Sequence, residues 1–372
     1  MRGIVTYDRR DLRALREMGL LPAPSDTTGP AGADDRPAAG ERAGSSRDGD
    51  PAPGTRPGTQ GTGAGPQGGD GEGRPRVHVF YEIKSVLGRT DPPVPGAHNM
   101  ISCFGDNRAV QRDPGLAAVG PGGMRAVRGT PYFDWDWVCP SDEGYRRSLL
   151  DLVARAAAQA VAGIRLDTVG FPREGFCRCP RCQAAQRASG LDEETWRAAT
   201  MTAFIREAVA RARTPGSAGV GGATPRGAVG GNATSTASGA PAAPPQTPPR
   251  RRPVSVTLYP DPFGDHLFRR FGLDVAQLGA LVDFFVVPIY DLHYSTTYWV
   301  EALAWGFRDL LGDVPFVVEL YALNVERKAL LKAARVADAY ADGILLAYER
   351  APEALRILDE LGPSPSHSRL AE

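Results

Sequence analysis

The sequence predicts a single (β/α)8 barrel, an α/β fold, interrupted by two long disordered insertions. Apolar, β-branched runs alternate with helical patterns along the chain. These runs are continuously apolar, as is typical of parallel strands that are covered on both faces. Without the insertions and a short tail, about 270 of the 372 residues remain, close to the ~250 residues typical of this fold.

Eight strands are predicted from these runs. They are 4–7, 77–83, 135–139, 163–168, 254–259, 283–290, 316–321 and 343–348. Helical periodicity follows most of them, as at Leu12, Leu15 and Met18, where apolar side chains recur every three residues. Residues 84–131 are rich in Gly and Pro and are interpreted as a long structured loop with room for a short strand. A doubly wound sheet is the alternative fold, but no glycine-rich loop follows the first strand.

Two segments lack the composition of a folded core. Residues 22–75 contain no Val, Ile, Leu, Met, Phe, Tyr or Trp, and residues 214–252 contain only two large aliphatic side chains. Neither segment can bury enough apolar surface to offset its ordering entropy, so both are predicted to be disordered. The remaining parts are the first β/α unit at 1–21, strands 2–4 with a cysteine loop at 76–213, strands 5–8 at 253–361, and a flexible tail at 362–372.

Composition excludes several classes of protein. The 43 Lys and Arg residues balance the 43 Asp and Glu residues, so no basic field favours nucleic acid. No apolar run is long enough for a transmembrane helix, and no membrane association is expected. The first residues lack the apolar core of a signal peptide, so we expect a cytoplasmic protein.

The strand ends carry carboxylates and aromatic side chains, and in this fold the chemistry lies at the carboxyl ends of the strands. Asp167 and Glu319 each stand in an otherwise apolar strand, where a carboxylate is costly without a partner or a purpose. They form the first candidate catalytic pair, and Asp291 and Glu82 are the next candidates. The candidate substrate-binding residues are Arg165, Lys84, Trp135, Trp137, Tyr259, Tyr290, His293, Trp299 and Tyr321.

These residue types favour a carbohydrate-active enzyme. Paired carboxyl groups catalyse glycoside hydrolysis, and aromatic faces stack on sugar rings. Arg165 is expected to keep Asp167 ionised. Two alternatives remain open: a non-catalytic barrel that binds a sugar or another polar ligand, and a metal-dependent hydrolase or lyase.

Three cysteines stand close together at Cys177, Cys179 and Cys182. Thiolates at this spacing suit zinc, which prefers four tetrahedral ligands, and Cys139 or Cys103 is a candidate fourth ligand. One structural zinc ion is therefore the only cofactor predicted. The alternative is a set of reduced thiols, or a disulfide under oxidising conditions.

Three stretches carry a resemblance to a known family: Asp136-Trp-Val-Cys-Pro-Ser, Gly163-Ile-Arg-Leu-Asp-Thr-Val-Gly-Phe-Pro and Cys177-Arg-Cys-Pro-Arg-Cys. They resemble the glycosyl-hydrolase-like TIM-barrel family of unknown specificity, which implies a barrel fold and a carbohydrate substrate. Arg165 and Asp167 also resemble strand 4 of the α-amylase-like hydrolases, which implies a nucleophilic Asp167 held charged by Arg165. Gly170 and Ala162 depart from the family pattern, which often has Arg and Asp there.

Overall fold

The protein folds as a closed barrel of eight parallel strands, which confirms the predicted fold class. Each strand pairs with its neighbour along the chain, and β1 pairs with β8 to close the barrel. Most of both predicted insertions, together with Asp291 and His293, lies outside the described residues. The structure, a computed structural model, describes residues 1–23, 76–214, 251–290, 292, 297–322, 325–347, 350–363 and 367–370.

The elements follow the predicted order closely. The strands are β1 Arg2–Thr6, β2 Val77–Lys84, β3 His98–Ser102, β4 Gly163–Asp167, β5 Val254–Thr257, β6 Phe284–Ile289, β7 Phe316–Tyr321 and β8 Ile344–Ala347. The helices are α1 Arg9–Glu17, α2 Asn107–Arg112, α3 Glu143–Ala157, α4 Pro180–Ser189, α5 Glu193–Arg213, α6 His266–Phe271, α7 Val275–Gly279, α8 Tyr298–Leu311, α9 Arg327–Asp338 and α10 Ala351–Leu361. Among the described helices, none has the length and apolar character needed to cross a membrane.

The third strand is not where the sequence analysis placed it. The prediction of a strand at 135–139 was wrong, because the third barrel strand is His98–Ser102, which pairs with both β2 and β4. Residues 135–139 instead lie in the loop after β3 and make only isolated antiparallel bridges, to Gly105 and Ala117. Asp136 and Trp137 are both buried, so the alternation of Trp and Asp there does not mark a strand with one solvated face. β3 lies inside the predicted loop 84–131, which was given room for a short strand but not a barrel strand, and it is polar at three of its five positions yet wholly buried.

Alternate side chains of each strand face the barrel interior. Ile164 and Leu166 of β4 pack outward into the main core against the helices. A second apolar cluster, inside the barrel, contains Val5, Phe80, Met100, Phe284, Val286, Val317, Leu345 and Ala347. By alternation, Arg165 and Glu319 face this same interior. The inward register therefore brings charged residues from distant strands into one layer.

Two carboxylates anchor segments at the opposite end of the barrel. Asp283 accepts a hydrogen bond from Arg213 and another from Arg251, both at 2.8 Å. Arg213 precedes the second predicted insertion and Arg251 lies near its end, so both described ends of that segment are bound to one residue. Asp342 accepts a hydrogen bond from the backbone N–H of Arg369 at 2.7 Å. The described part of the predicted tail is thus attached to the barrel.

Candidate active site and cysteine cluster

A pocket of about 230 Å³ opens at the carboxyl ends of the strands. It is smaller than the roughly 300–1,000 Å³ of pockets for drug-sized ligands, so it suits a small ring. Among its described lining residues, only Asp167 and Arg165 carry a charge. The other lining residues are Tyr7, Val86, Met100, Trp135, Thr168, Thr257, Leu258, Tyr259, Pro260, Pro288 and Tyr290.

A larger groove, of about 910 Å³, lies on the outer helices α8, α9 and α10. It is lined mainly by charged side chains, including Arg327, Lys328, Lys332 and Arg335, and contains none of the strand-end residues. We therefore place the candidate active site in the smaller pocket.

Arg165 organises the charged layer beneath the pocket. Its side chain is 1% exposed and forms an ion pair with Glu319, which is fully buried. Its Nη2 lies 3.6 Å from the Asp167 carboxylate, and its Nε donates to Thr257 Oγ1 at 2.8 Å. Although burial alone would lower it, the pKa of Arg165 is raised by the Glu319 and Asp167 carboxylates. The guanidinium is therefore a fixed positive charge between two carboxylates.

Asp167 is the carboxylate that reaches the pocket, with its side chain 23% exposed. Thr168 Oγ1 donates to Asp167 Oδ2 at 2.9 Å and also lies 3.0 Å from Ser102 Oγ. The backbone of Thr168 adopts a left-handed φ of 48°, a conformation that a β-branched residue rarely adopts and that is often found at functional sites. The strained residue thus fixes the orientation of the carboxylate beside it.

Glu82, on β2, is a second carboxyl group of this layer. Its pKa is raised to about 7, first by desolvation and then by the nearby Asp167 carboxylate. Arg89 opposes this shift from 3.4 Å away. A carboxyl group with such a pKa is partly protonated at neutral pH, so it can donate a proton while Asp167 accepts one or attacks.

Glu319 occupies a different position from the one expected of a catalytic acid. It is fully buried, is not among the lining residues of the pocket, and is bound to Arg165. Tyr7 donates to its other oxygen at 3.2 Å, and desolvation followed by the Glu319 charge raises the pKa of this tyrosine. Glu319 therefore lies beneath the pocket, as the partner of Arg165.

The aromatic residues divide into lining and supporting groups. Trp135, Tyr259 and Tyr290 line the pocket. Trp137 is only 3% exposed and packs between Trp135 and Tyr259, with ring centroids 6.0 and 6.4 Å away. Tyr259 stacks on Phe271 with ring centroids 3.7 Å apart, so one of its faces is covered. Trp137 does not line the pocket, and the buried Trp135 Nε1 and Tyr259 hydroxyl have no partner.

Lys84, Trp299 and Tyr321, which were also predicted to bind substrate, do not line the pocket. Lys84 is buried, donates to the Ser102 carbonyl at 2.8 Å and pairs with Asp106 at 3.1 Å. Trp299 is 44% exposed at the start of α8, and Tyr321 contacts the pocket only through the edge of Tyr290, with centroids 5.6 Å apart. Asp291 and His293 lie outside the described residues.

Sequence reasoning missed several residues of the pocket. Tyr7, Thr168 and Thr257 line it, yet none was a candidate. Tyr7 directly follows the first strand, which was the available signal. The roles of the two threonines depend on contacts with Asp167 and Arg165, and the spacing of residues along the chain does not reveal them.

Four cysteines converge outside the pocket. The Sγ atoms of Cys139, Cys177, Cys179 and Cys182 all lie within 4.8 Å of one another, and all four thiols are free. Zinc–sulfur bonds of ~2.3 Å in a tetrahedron place the sulfurs about 3.8 Å apart, and Cys139 Sγ lies 3.7 Å from Cys179 Sγ and 3.3 Å from Cys182 Sγ. The group could hold a metal ion. Cys103, the other candidate ligand, is not part of it.

Comparison with solved structures finds a similar barrel fold in a glycoside hydrolase domain. The glycoside hydrolase domain of PgaB (BpsB) from Bordetella bronchiseptica matches 78% of this chain and 89% of its own, with a TM-score of 0.55 and 12% identity. The glycoside hydrolase domain of PelA from Pseudomonas aeruginosa matches 77% and 90%, with a TM-score of 0.37 and 13% identity. At these identities the likeness concerns the fold alone. No protein-family model and no curated protein sequence matches the chain.

Proposed function

We propose that this protein is a glycoside hydrolase in which Asp167 is the nucleophile or general base and Glu82 the general acid. The observation that carries the proposal is a pair of carboxyl groups in unlike environments: Asp167 lines the pocket, and Glu82, outside the lining itself, is close enough for the Asp167 charge to raise its pKa. Asp167 is partly exposed and paired with Arg165, whereas the pKa of Glu82 is raised to about 7 by desolvation and by Asp167. Carboxyl groups whose environments separate their pKa values are the usual acid and base of glycoside hydrolysis.

Glu319 and Arg165 then act as positioning residues. Arg165 donates to Thr257 and pairs with both Glu319 and Asp167, so its guanidinium has little freedom to turn. Glu319 holds Arg165 from below, and Arg165 in turn lies 3.6 Å from the Asp167 carboxylate and orients it. Asp167 and Glu319, the first candidate catalytic pair, are thus linked only indirectly, through Arg165.

The substrate class follows from the charges around the pocket. The cations nearest to it are already paired: Arg165 with two carboxylates, Arg89 with Glu82 and Asp91, and Lys84 with Asp106. The residues after β6, β7 and β8 that lie outside the described part include, by sequence, neither Lys nor Arg. Because the only cation among the described lining residues is the paired Arg165, and an anionic sugar would face Asp167, we expect a glycoside without negative charge.

In this proposal, the cysteine cluster binds a structural zinc ion. Four thiolates complete the tetrahedral coordination of zinc and leave no open position for water or substrate. None of the four cysteines lines the pocket. The arrangement therefore favours a structural role over the alternative of a metal-dependent hydrolase.

The test is a screen of 4-nitrophenyl glycosides that includes glucosides, galactosides, amino-sugar glycosides and glucuronides. We expect turnover of at least one neutral or amino-sugar glycoside and none of the glucuronides. Asp167→Asn and Glu82→Gln should each lower kcat at least about 100-fold while the thermal transition is retained. Asp309→Asn, at an exposed position on α8, is the matched control and should leave turnover unchanged.

Two outcomes would contradict the proposal. Normal turnover by both Asp167→Asn and Glu82→Gln would exclude these carboxyl groups from the chemistry. Tight binding of a glycoside without turnover by the wild-type protein would indicate the sugar-binding alternative.

A further inference from the structure

The cysteine cluster joins the two loops that form one side of the pocket. Cys139 ends the loop after β3, and the other three cysteines lie on the loop and helix after β4. The loops also meet directly, since Arg178 donates its backbone N–H to the Val119 carbonyl at 2.6 Å. Val119 donates in turn to Cys177 Sγ at 3.3 Å, a hydrogen bond of the kind that orients metal-bound thiolates.

The loop after β3 carries the tryptophan wall of the pocket. Trp137, two residues before Cys139, donates its N–H to Ala126 at 2.9 Å and accepts from Ala118 at 2.8 Å. Trp135 lies against Gly105, where a Cβ atom would come within 2.9 Å of the indole ring. Any shift of Cys139 is therefore transmitted through a short hydrogen-bonded segment to the indole that lines the pocket.

The loop after β4 begins at the proposed nucleophile. Cys103 donates its N–H to the Asp167 carbonyl at 2.7 Å, and Phe104 donates to the Thr168 carbonyl at 3.1 Å. Further along, Phe176 packs edge-on against Phe133 with ring centroids 5.4 Å apart. The two loops are thus joined next to Asp167 and again at the cysteines, with the tryptophan wall between the two junctions.

We propose that a thiophilic metal ion of the zinc class, held by Cys139, Cys177, Cys179 and Cys182, fixes the position of Trp135 relative to Asp167. Metal occupancy then controls the affinity of the pocket without any part in bond cleavage. The identity of the ligand rests on the proposed function, but the effect on the loop does not. Three of the four cysteines are buried, and loss of the metal ion removes one of the junctions between the two loops.

The experiment compares metal content, hydrogen exchange and glycoside binding in the full-length protein. The wild type should contain about one equivalent of zinc by elemental analysis. Cys182→Ser should lose the metal, and the amides of Ala118, Ala126, Trp137 and Val138 should exchange at least tenfold faster. For the glycoside cleaved by the wild type, KM should rise at least tenfold with a smaller change in kcat.

The control is Cys103→Ala, which removes a buried cysteine of the same loop that lies outside the cluster. It should retain zinc and leave loop exchange unchanged. If Cys182→Ser does not fold, chelation of the wild type followed by re-addition of zinc gives the same comparison. Exchange that does not change when the metal is lost, or a protein that binds no zinc, would overturn the proposal. Absence of turnover on every glycoside would affect only the proposed function, because hydrogen exchange does not depend on it.

Discussion

The two ends of the barrel interior bury ionisable groups in opposite ways. At the pocket end, Arg165 pairs with Glu319 and Asp167, so charges are retained and balanced. At the other end, His78 and His98 lie 3.2 Å apart, and His98 stacks on Phe80 with centroids 4.3 Å apart. Desolvation lowers the pKa of His78 to about 4 and that of His98 to about 3, so both imidazoles are neutral at pH 7.

The difference shows two ways in which this barrel meets the cost of burying an ionisable group. Burying a charge is tolerable only when a partner and hydrogen bonds replace the lost water. The pocket end meets this condition with a guanidinium bound by two carboxylates and a threonine. The opposite end of the interior avoids this cost because His78 and His98 are both neutral at pH 7.

The largest expected effect comes from breaking the charge pair. Glu319→Leu removes the partner of Arg165 and leaves a buried guanidinium with only Asp167 to balance it. Removal of one partner of a buried ion pair costs about 3–5 kcal/mol, and we expect the free energy of unfolding in urea to fall by that amount. Asp167→Asn, at a partly exposed position, should cost much less. Equal effects of the two substitutions would remove the distinction between a buried support and a pocket carboxylate.

A smaller effect is expected from protonation at the opposite end. The pKa of His78 is lowered to about 4 and that of His98 to about 3, below the value of 6.5 for a free histidine. Below pH 6.5 the unfolded chain binds protons that the folded protein excludes, so stability should be complete above pH 6.5 and fall toward pH 4. Each histidine should contribute a loss of about 3 kcal/mol by pH 4, measured by denaturant unfolding across this range. His78→Phe should flatten the dependence, and a wild-type curve without a slope would show that the imidazoles reach water.

The smallest effect concerns Glu82 and has the opposite sign. Because its pKa is raised to about 7 from 4.5, the folded protein retains a proton that the unfolded chain releases. Stability should therefore fall as the pH rises from 4.5 to 7, and Glu82→Gln should remove about 1–3 kcal/mol of that fall. The same protonation should make kcat/KM decline above pH 7. A Gln variant with the unaltered pH profile would show that another group titrates there.

Much of the fold was predictable because its strands are long apolar runs covered on both faces. β3 was not, since three of its five residues are polar: His98 and Ser102 meet His78 and Thr168 from elsewhere in the chain, and Asn99 binds the backbone of Val94 and Ala97. Asp167 and Glu319 were detectable as carboxylates inside apolar strands. Their relation was not, because Arg165 meets Glu319 across the barrel, 154 positions along the chain. Sequence revealed which strands carry charge, while the inward register decided which charges meet.

The two ion pairs of Asp283, with Arg213 and Arg251, have a consequence for chain connectivity. Arg213 and Arg251 hold the flanks of the second insertion on one carboxylate, between the half of the barrel formed by β1–β4 and the half formed by β5–β8. Burial first raises the pKa of Asp283, but the Val254 N–H and the two arginines lower it overall, so the carboxylate remains charged under mildly acidic conditions. A polypeptide cleaved between residues 214 and 251 would therefore keep Arg213 and Arg251, next to the two new termini, bound to Asp283 just before β6. The molecule is in this respect ready for circular permutation, or for assembly from two separately synthesised half-barrels.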